Sequence, residues 1–155
     1  MLAGNNDISK ILHGLSGLGV IAVSLFINLR INAFVFEIKT IGWVLFVTGL
    51  IAFIWSFVFI RNAILGLDNS KSNNLVTGGP YKFVRHPIYL GMIISLSGVA
   101  LILRSWPGII IVLIIFIPSV IYRIENEETY LSERYKEQWR KYYENTPAFI
   151  PFFKK

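Results

Sequence analysis

The chain has 155 residues, of which 54% are hydrophobic and only 15% charged, against roughly 25% charged in an average soluble domain. One core of this size cannot hide so much apolar surface, so a soluble globular domain is excluded. A formal charge of +6 in so apolar a chain speaks of membrane topology and anionic headgroups rather than nucleic acid, and the absence of cysteine excludes disulfides and thiolate metal sites.

Four apolar stretches predict membrane spans, since a bilayer core takes about 20 helical residues. The first covers residues 8–28, with Lys10 near its start and His13 inside it. Its weakly charged start and the lack of a small-residue cleavage site favour a retained helix over a signal peptide. The Gly14-Leu15-Ser16-Gly17-Leu18-Gly19 run suits close helix packing, not a dinucleotide loop, because it sits inside an apolar helix. His13 reads as a packed or hydrogen-bonded histidine. The second span, residues 41–60, carries no charge, and Gly42 and Gly49 mark contact points on it.

A polar loop follows over residues 61–87, with turn-forming residues from Asp68 to Asn74 and again at Thr77-Gly78-Gly79-Pro80. Residues 88–103 and 106–122 are the third and fourth spans, separated only by Arg104 and Ser105. Trp106 and Pro107 suit the turn of an antiparallel hairpin, tryptophan at the interface and proline in a first helical turn. Gly91 and Ser95 are further contact points. Beyond Tyr122 the composition changes: six of the nine acidic residues lie between Glu125 and Glu144. Ile124, Leu131, Tyr135, Trp139 and Tyr142 recur at helical spacing and predict an amphipathic helix that ends near Asn145-Thr146-Pro147. Phe149 to Phe153 reads as a strap at the interface. The expected protein is all-α: a single membrane domain of about four transmembrane helices with a cytoplasmic amphipathic C-terminal helix and tail over 123–155.

Cationic residues orient it. Lys10, four residues of the 61–85 loop and seven of the tail fall on one side, twelve in all, while Arg30, Lys39 and Arg104 fall on the other. The positive-inside rule then puts both termini in the cytoplasm.

Polar side chains at the membrane surface gather in two clusters. Arg85, His86, Pro87 and Tyr89 stand at the start of the third span, where Pro87 fits the first helical turn. Exposed N–H groups there favour an anionic ligand group. Arg123, Glu127 and Glu128 stand where the fourth span leaves the membrane, with Arg123 and Glu127 on one helix face. The hairpin returns the second cluster to the level of the first, which makes one site of two. No P-loop, metal-ligand spacing or nucleophile motif is present.

At these clusters the sequence resembles the isoprenylcysteine carboxyl methyltransferase and phospholipid methyltransferase superfamily. The matching residues are Leu75-Val76-Thr77-Gly78-Gly79-Pro80-Tyr81, Arg85-His86-Pro87-Ile88-Tyr89-Leu90-Gly91, Arg123 through Glu127-Glu128 and Leu131, then Tyr143, Thr146-Pro147 and Phe149-Ile150-Pro151. The resemblance implies an integral membrane enzyme that uses S-adenosylmethionine without a Rossmann domain. It implies a cofactor pocket made by Asn73, Asn74, Leu75, Val76, Tyr81, His86, Pro87, Ile88, Tyr89 and Glu127. Arg123 would face the acceptor, with Arg85 beside it, and an amine acceptor would lose its proton to Glu128 or to a water. The acceptor would be a lipophile entering from the bilayer: a prenylcysteine-like carboxylate, a phospholipid amine or a small lipophilic metabolite. Membrane lipids would be the other partners. Where this chain has Asn73-Asn74, related sequences often have His-Thr, and Glu133-Arg134-Tyr135 replaces a common Phe-Gly pattern. Two further readings stand beside this one. Sterol and steroid reductases carry a similar Arg-His-Pro-x-Tyr-x-Gly segment and bind NADPH, and a non-catalytic membrane assembly subunit would use these charges for topology alone.

Overall fold

Residues 2–26, 35–64 and 75–149 are described by the computed structural model, and among them the backbone is helical apart from short turns, with no strand. Helix α1 is Leu2–Phe26, α2 is Val35–Ile64 and α3 is Pro87–Ile102, with a one-turn 3-10 helix at Gly79–Lys82 before it. Helix α4 is Trp106–Asn145. It holds a π-turn at Val112–Phe116. Pro118 explains the widening: it has no N–H for the Ile114 carbonyl, and its ring would clash there in a regular α-helix.

Glycines bring α2 and α3 together. Gly42 faces Gly98 and Gly49 faces Gly91, so the two helices run antiparallel with backbones almost touching. A Cβ added at Gly49 would stand 2.5 Å from the Ser95 nitrogen and 2.8 Å from the Gly91 oxygen. In a bilayer there is little hydrophobic force between helices, and such close backbone contact takes its place. The expected contact points at Gly42, Gly49, Gly91 and Ser95 are found here.

The α3–α4 hairpin also forms as the sequence predicts. Helix α3 ends at Ile102, the Arg104 nitrogen donates to the Leu101 oxygen (2.9 Å), and the Ser105 nitrogen donates to the Ala100 oxygen (2.9 Å). Ser105 then caps α4 by accepting from the Gly108 nitrogen at 3.0 Å. Helix α1 lies against α3 and α4. There the Ser16 and Ser119 hydroxyls meet at 3.0 Å, and Val20, Tyr89, Val112, Phe116, Val120 and Ile124 form the buried core.

Outside this small core the helices expose large apolar side chains: Leu15, Leu18 and Leu25 on α1, Trp43, Ile51 and Trp55 on α2, Ile110, Ile114 and Ile121 on α4. Water does not tolerate an apolar surface of this extent, whereas lipid does. Two helices, Phe36–Asn62 and Trp106–Asn145, are long and apolar enough to cross a membrane, while the apolar stretches Lys10–Phe26 and Pro87–Ile102 are shorter. The expected end of the first span at Asn28, the loop from Leu65 to Asn74, and the strap beyond Phe149 lie outside the described residues.

Candidate active site

The turn before α3 is shaped by Gly79, whose φ of +56° suits glycine and whose Cα packs against the Phe59 ring. The turn buries Pro80, Tyr81 and Val84. Pro87 occupies the first turn of α3, as expected, with His86 as N-cap. His86 is buried and Tyr89 lies one turn on, both facing α4.

The two polar clusters meet. Tyr89 Oη donates to Glu127 Oε2 at 3.0 Å. His86 Nε2 lies 2.8 Å from Glu128 Oε1 and Arg85 Nε donates to the same oxygen at 3.0 Å. An ionised carboxylate only accepts, so the Nε2 that faces it carries the hydrogen. Burial alone would raise the Glu128 carboxyl, but the hydrogen bond from His86 and the charge of Arg85 outweigh it and hold the group below its usual range. Arg123 stands on α4 one turn before Glu127.

Arg85 and Glu128 both have partners within the protein. Arg85 is tied down: besides Glu128, its Nη1 donates to the carbonyls of Tyr143 (3.0 Å) and Thr146, and its guanidinium carbon sits 4.0 Å from the centre of the Tyr143 ring. Glu128 accepts from two neighbours, and a carboxylate so stabilised in its ionised form is a weak base. Arg85 and Glu128 therefore fasten the turn before α3 to α4, and Tyr89 and Glu127 bond each other beside the core. Leu75 and Val76 are half-buried at the approach, Ile88 is half-buried and Pro87 buried. Asn73 and Asn74 lie outside the described residues.

The segment after α4 also belongs to the site, which its spacing did not reveal. The Arg85 nitrogen donates to the Pro147 oxygen (2.8 Å) and the His86 nitrogen to the Ala148 oxygen (3.2 Å). Tyr142 Oη donates to the Tyr81 oxygen at 2.7 Å, and the Phe149 ring lies 6.3 Å from that of His86. The Thr146-Pro147 motif was the available signal. The backbone of α4 breaks at Lys136 (φ 43°, ψ −109°), and beyond that break Trp139 and Tyr142 are buried. On α1 the His13 ring stacks on Phe116 (5.0 Å) and meets Tyr89 edge-on (5.6 Å). It is packed, as expected, yet neither ring nitrogen has a hydrogen-bond partner.

Next to this site a cleft of about 490 Å³ is lined by Leu75, Thr77, Gln138, Lys141 and Tyr142. The Tyr81 hydroxyl is buried without a partner among the described residues. Burial first, then the charge of Glu127, push this phenol up, so it stays a neutral donor.

Tyrosines, a histidine and carboxylates thus gather at one end of a helix hairpin in an apolar protein whose described residues are mostly helical. Residues 38–138 match the phospholipid methyltransferase family, and the chain belongs to it. The chain is 30% identical over 88 residues to the protein-S-isoprenylcysteine O-methyltransferase of Schizosaccharomyces pombe, a match covering 57% of this chain and 37% of that protein. It is 30% identical over 87 residues to the cobalt-zinc-cadmium resistance protein CzcN of Cupriavidus metallidurans, covering 56% of this chain and 40% of that one. It is 28% identical over 89 residues to protein-S-isoprenylcysteine O-methyltransferase B of Arabidopsis thaliana, covering 57% and 45%. The chain thus spans less than half the length of these curated relatives. No solved structure matches it.

Proposed function

We propose that this membrane methyltransferase is a multi-pass protein that uses S-adenosylmethionine and modifies a lipophilic acceptor drawn from the bilayer. The observation that carries the reading is the convergence of Tyr81, His86, Tyr89 and Glu127 at one end of the α3–α4 hairpin, in a chain that belongs to a methyltransferase family. That membership favours methyl transfer over an NADPH-dependent reductase and over a non-catalytic assembly subunit.

The residues fit the cofactor. The orphaned Tyr81 hydroxyl is a buried donor awaiting an acceptor, and the Glu127 carboxylate with its tyrosine neighbours suits a cation. When bound, S-adenosylmethionine supplies a methyl group on a positively charged sulfur. Glu127 and Tyr89 would hold its cationic parts, the Tyr81 hydroxyl would donate to one of its oxygens, and Leu75, Val76 and Ile88 would meet its apolar surface. The first-turn N–H groups of α3 would receive its carboxylate. Positioning two reactants in line contributes much of the acceleration in such a transfer. Arg123 would hold an acceptor carboxylate through paired hydrogen bonds, for which no base is required. An amine acceptor would lose its proton to water, since Glu128 is already engaged. The positive-inside count supports four spans, with the termini, the loop and the C-terminal amphipathic helix in the cytoplasm.

Calorimetric titration of S-adenosylhomocysteine onto the purified protein in detergent tests this directly. Saturable binding that is lost in Glu127→Ala is expected. A wild-type protein that fails to bind it overturns the reading. Radiolabelled methyl transfer in membrane extracts then identifies the fraction that gains label.

A further inference from the structure

The contacts of α1 leave a gap. It packs on α3 and α4, α2 packs on α3, and between α1 and α2 runs an apolar groove of about 310 Å³ floored by α3. Leu18, Ile21, Leu50, Phe53, Met92 and Leu96 line it. Leu18, Ile21 and Leu50 are also exposed on the outer surface, so the groove opens toward lipid. Gly14 keeps it clear, since a Cβ there would meet nothing within 4 Å.

Two polar groups that line this apolar groove lack partners. His13 lines it, is only 8% exposed, and both its ring nitrogens lack a hydrogen-bond partner. The Ser95 hydroxyl, a second lining group, is also buried without one. Buried polar atoms are almost always paired, and leaving them bare is costly. The imidazole is fixed by Phe116 on one side and Tyr89 on the other, and Tyr89 in turn bonds Glu127. A ligand head bonded to His13 would therefore sit one ring away from the proposed cofactor pocket. The volume is near the lower limit of about 300–1,000 Å³ for small-molecule sites, which suits one hydrocarbon chain rather than two.

We propose that the α1–α2 groove seats a single-chain lipophile, and that His13 hydrogen-bonds its polar head and so selects the acceptor. This rests on the methyltransferase reading above. His13 lies outside residues 38–138 that match the family, so the selecting group is supplied by this chain's own first helix.

Photo-crosslinking in detergent tests it, using single-chain alkyl diazirines with a hydroxyl or a methyl terminus and a diacylglycerol diazirine. The hydroxyl probe is expected to label α1 and α3 peptides about tenfold more than the methyl probe, the weight of one or two hydrogen bonds. His13→Phe should erase that preference and His13→Gln should restore it. Gly14→Leu should cut labelling by both single-chain probes about tenfold while S-adenosylhomocysteine binding is unchanged. Equal labelling by the two single-chain probes, a preference that survives His13→Phe, undiminished labelling of Gly14→Leu, or stronger labelling by the diacyl probe overturns the proposal. Loss of S-adenosylhomocysteine binding with intact groove labelling overturns the methyltransferase reading instead.

Discussion

Glu128 shows how a few atoms fix the site. One of its oxygens takes a hydrogen bond from Arg85 and another from His86, and Arg85 goes on to the carbonyls beyond α4. Removing the carboxylate leaves a guanidinium with a mostly buried side chain and no counter-charge. Glu128→Ala should therefore cost about 3 kcal/mol, read as a lower thermal midpoint in detergent. Because the folded carboxyl is held below its ordinary value of 4.5, its contribution is fully present above that pH. It is lost as the pH falls through the lower folded value. The wild-type midpoint should drop on that acid limb, and Glu128→Gln should flatten the drop. A limb unchanged by the substitution would assign the acid sensitivity to another group. Arg85, His86, Tyr89, Glu127 and Glu128 were legible as one site because the hairpin length returns them to one level. That Arg85 and Glu128 fasten each other was not legible, since spacing says which residues can meet and not how many partners each one takes.

Helix pairs carry the next level of organisation, and here small residues matter more than large ones. At Gly49 any side chain would press on the Ser95 nitrogen and the Gly91 oxygen, which are backbone atoms that cannot yield without separating α2 from α3. Gly49→Leu should destabilise the protein by about 2–3 kcal/mol or prevent its folding. Gly19→Ala is the matched control: a Cβ there meets nothing within 4 Å, so stability should hold or rise slightly through helix propensity. Both are read by denaturation of purified protein in detergent, and equal losses in the pair would dismiss the close-contact account. The apolar runs and the glycine positions made these helices readable in the sequence. The π-turn before Pro118 and the break at Lys136 were not: a proline announces a disturbed helix without saying whether it kinks or widens, and no glycine or proline stands at the Lys136 break.

Over the whole molecule the question is how the apolar surface sits in a membrane. Two of the helices pass the length requirement alone, and the charge distribution supplies the argument for four spans. The chain contains no cysteine, so single cysteines report position without background. Thr77→Cys and Trp106→Cys, both at exposed positions, should be labelled by an impermeant maleimide from opposite faces of sealed vesicles. Labelling from the same face would remove the four-span arrangement. The segment of residues 146–148 that follows α4 matters for biogenesis. Carbonyls of Thr146, Pro147 and Ala148 hold Arg85 and His86, about sixty residues earlier in the chain. The hairpin can enter the membrane while those carbonyls are still unsynthesised, with the turn before α3 lacking its backbone partners. The turn before α3 therefore gains these backbone partners only once residues 146–148 have been made.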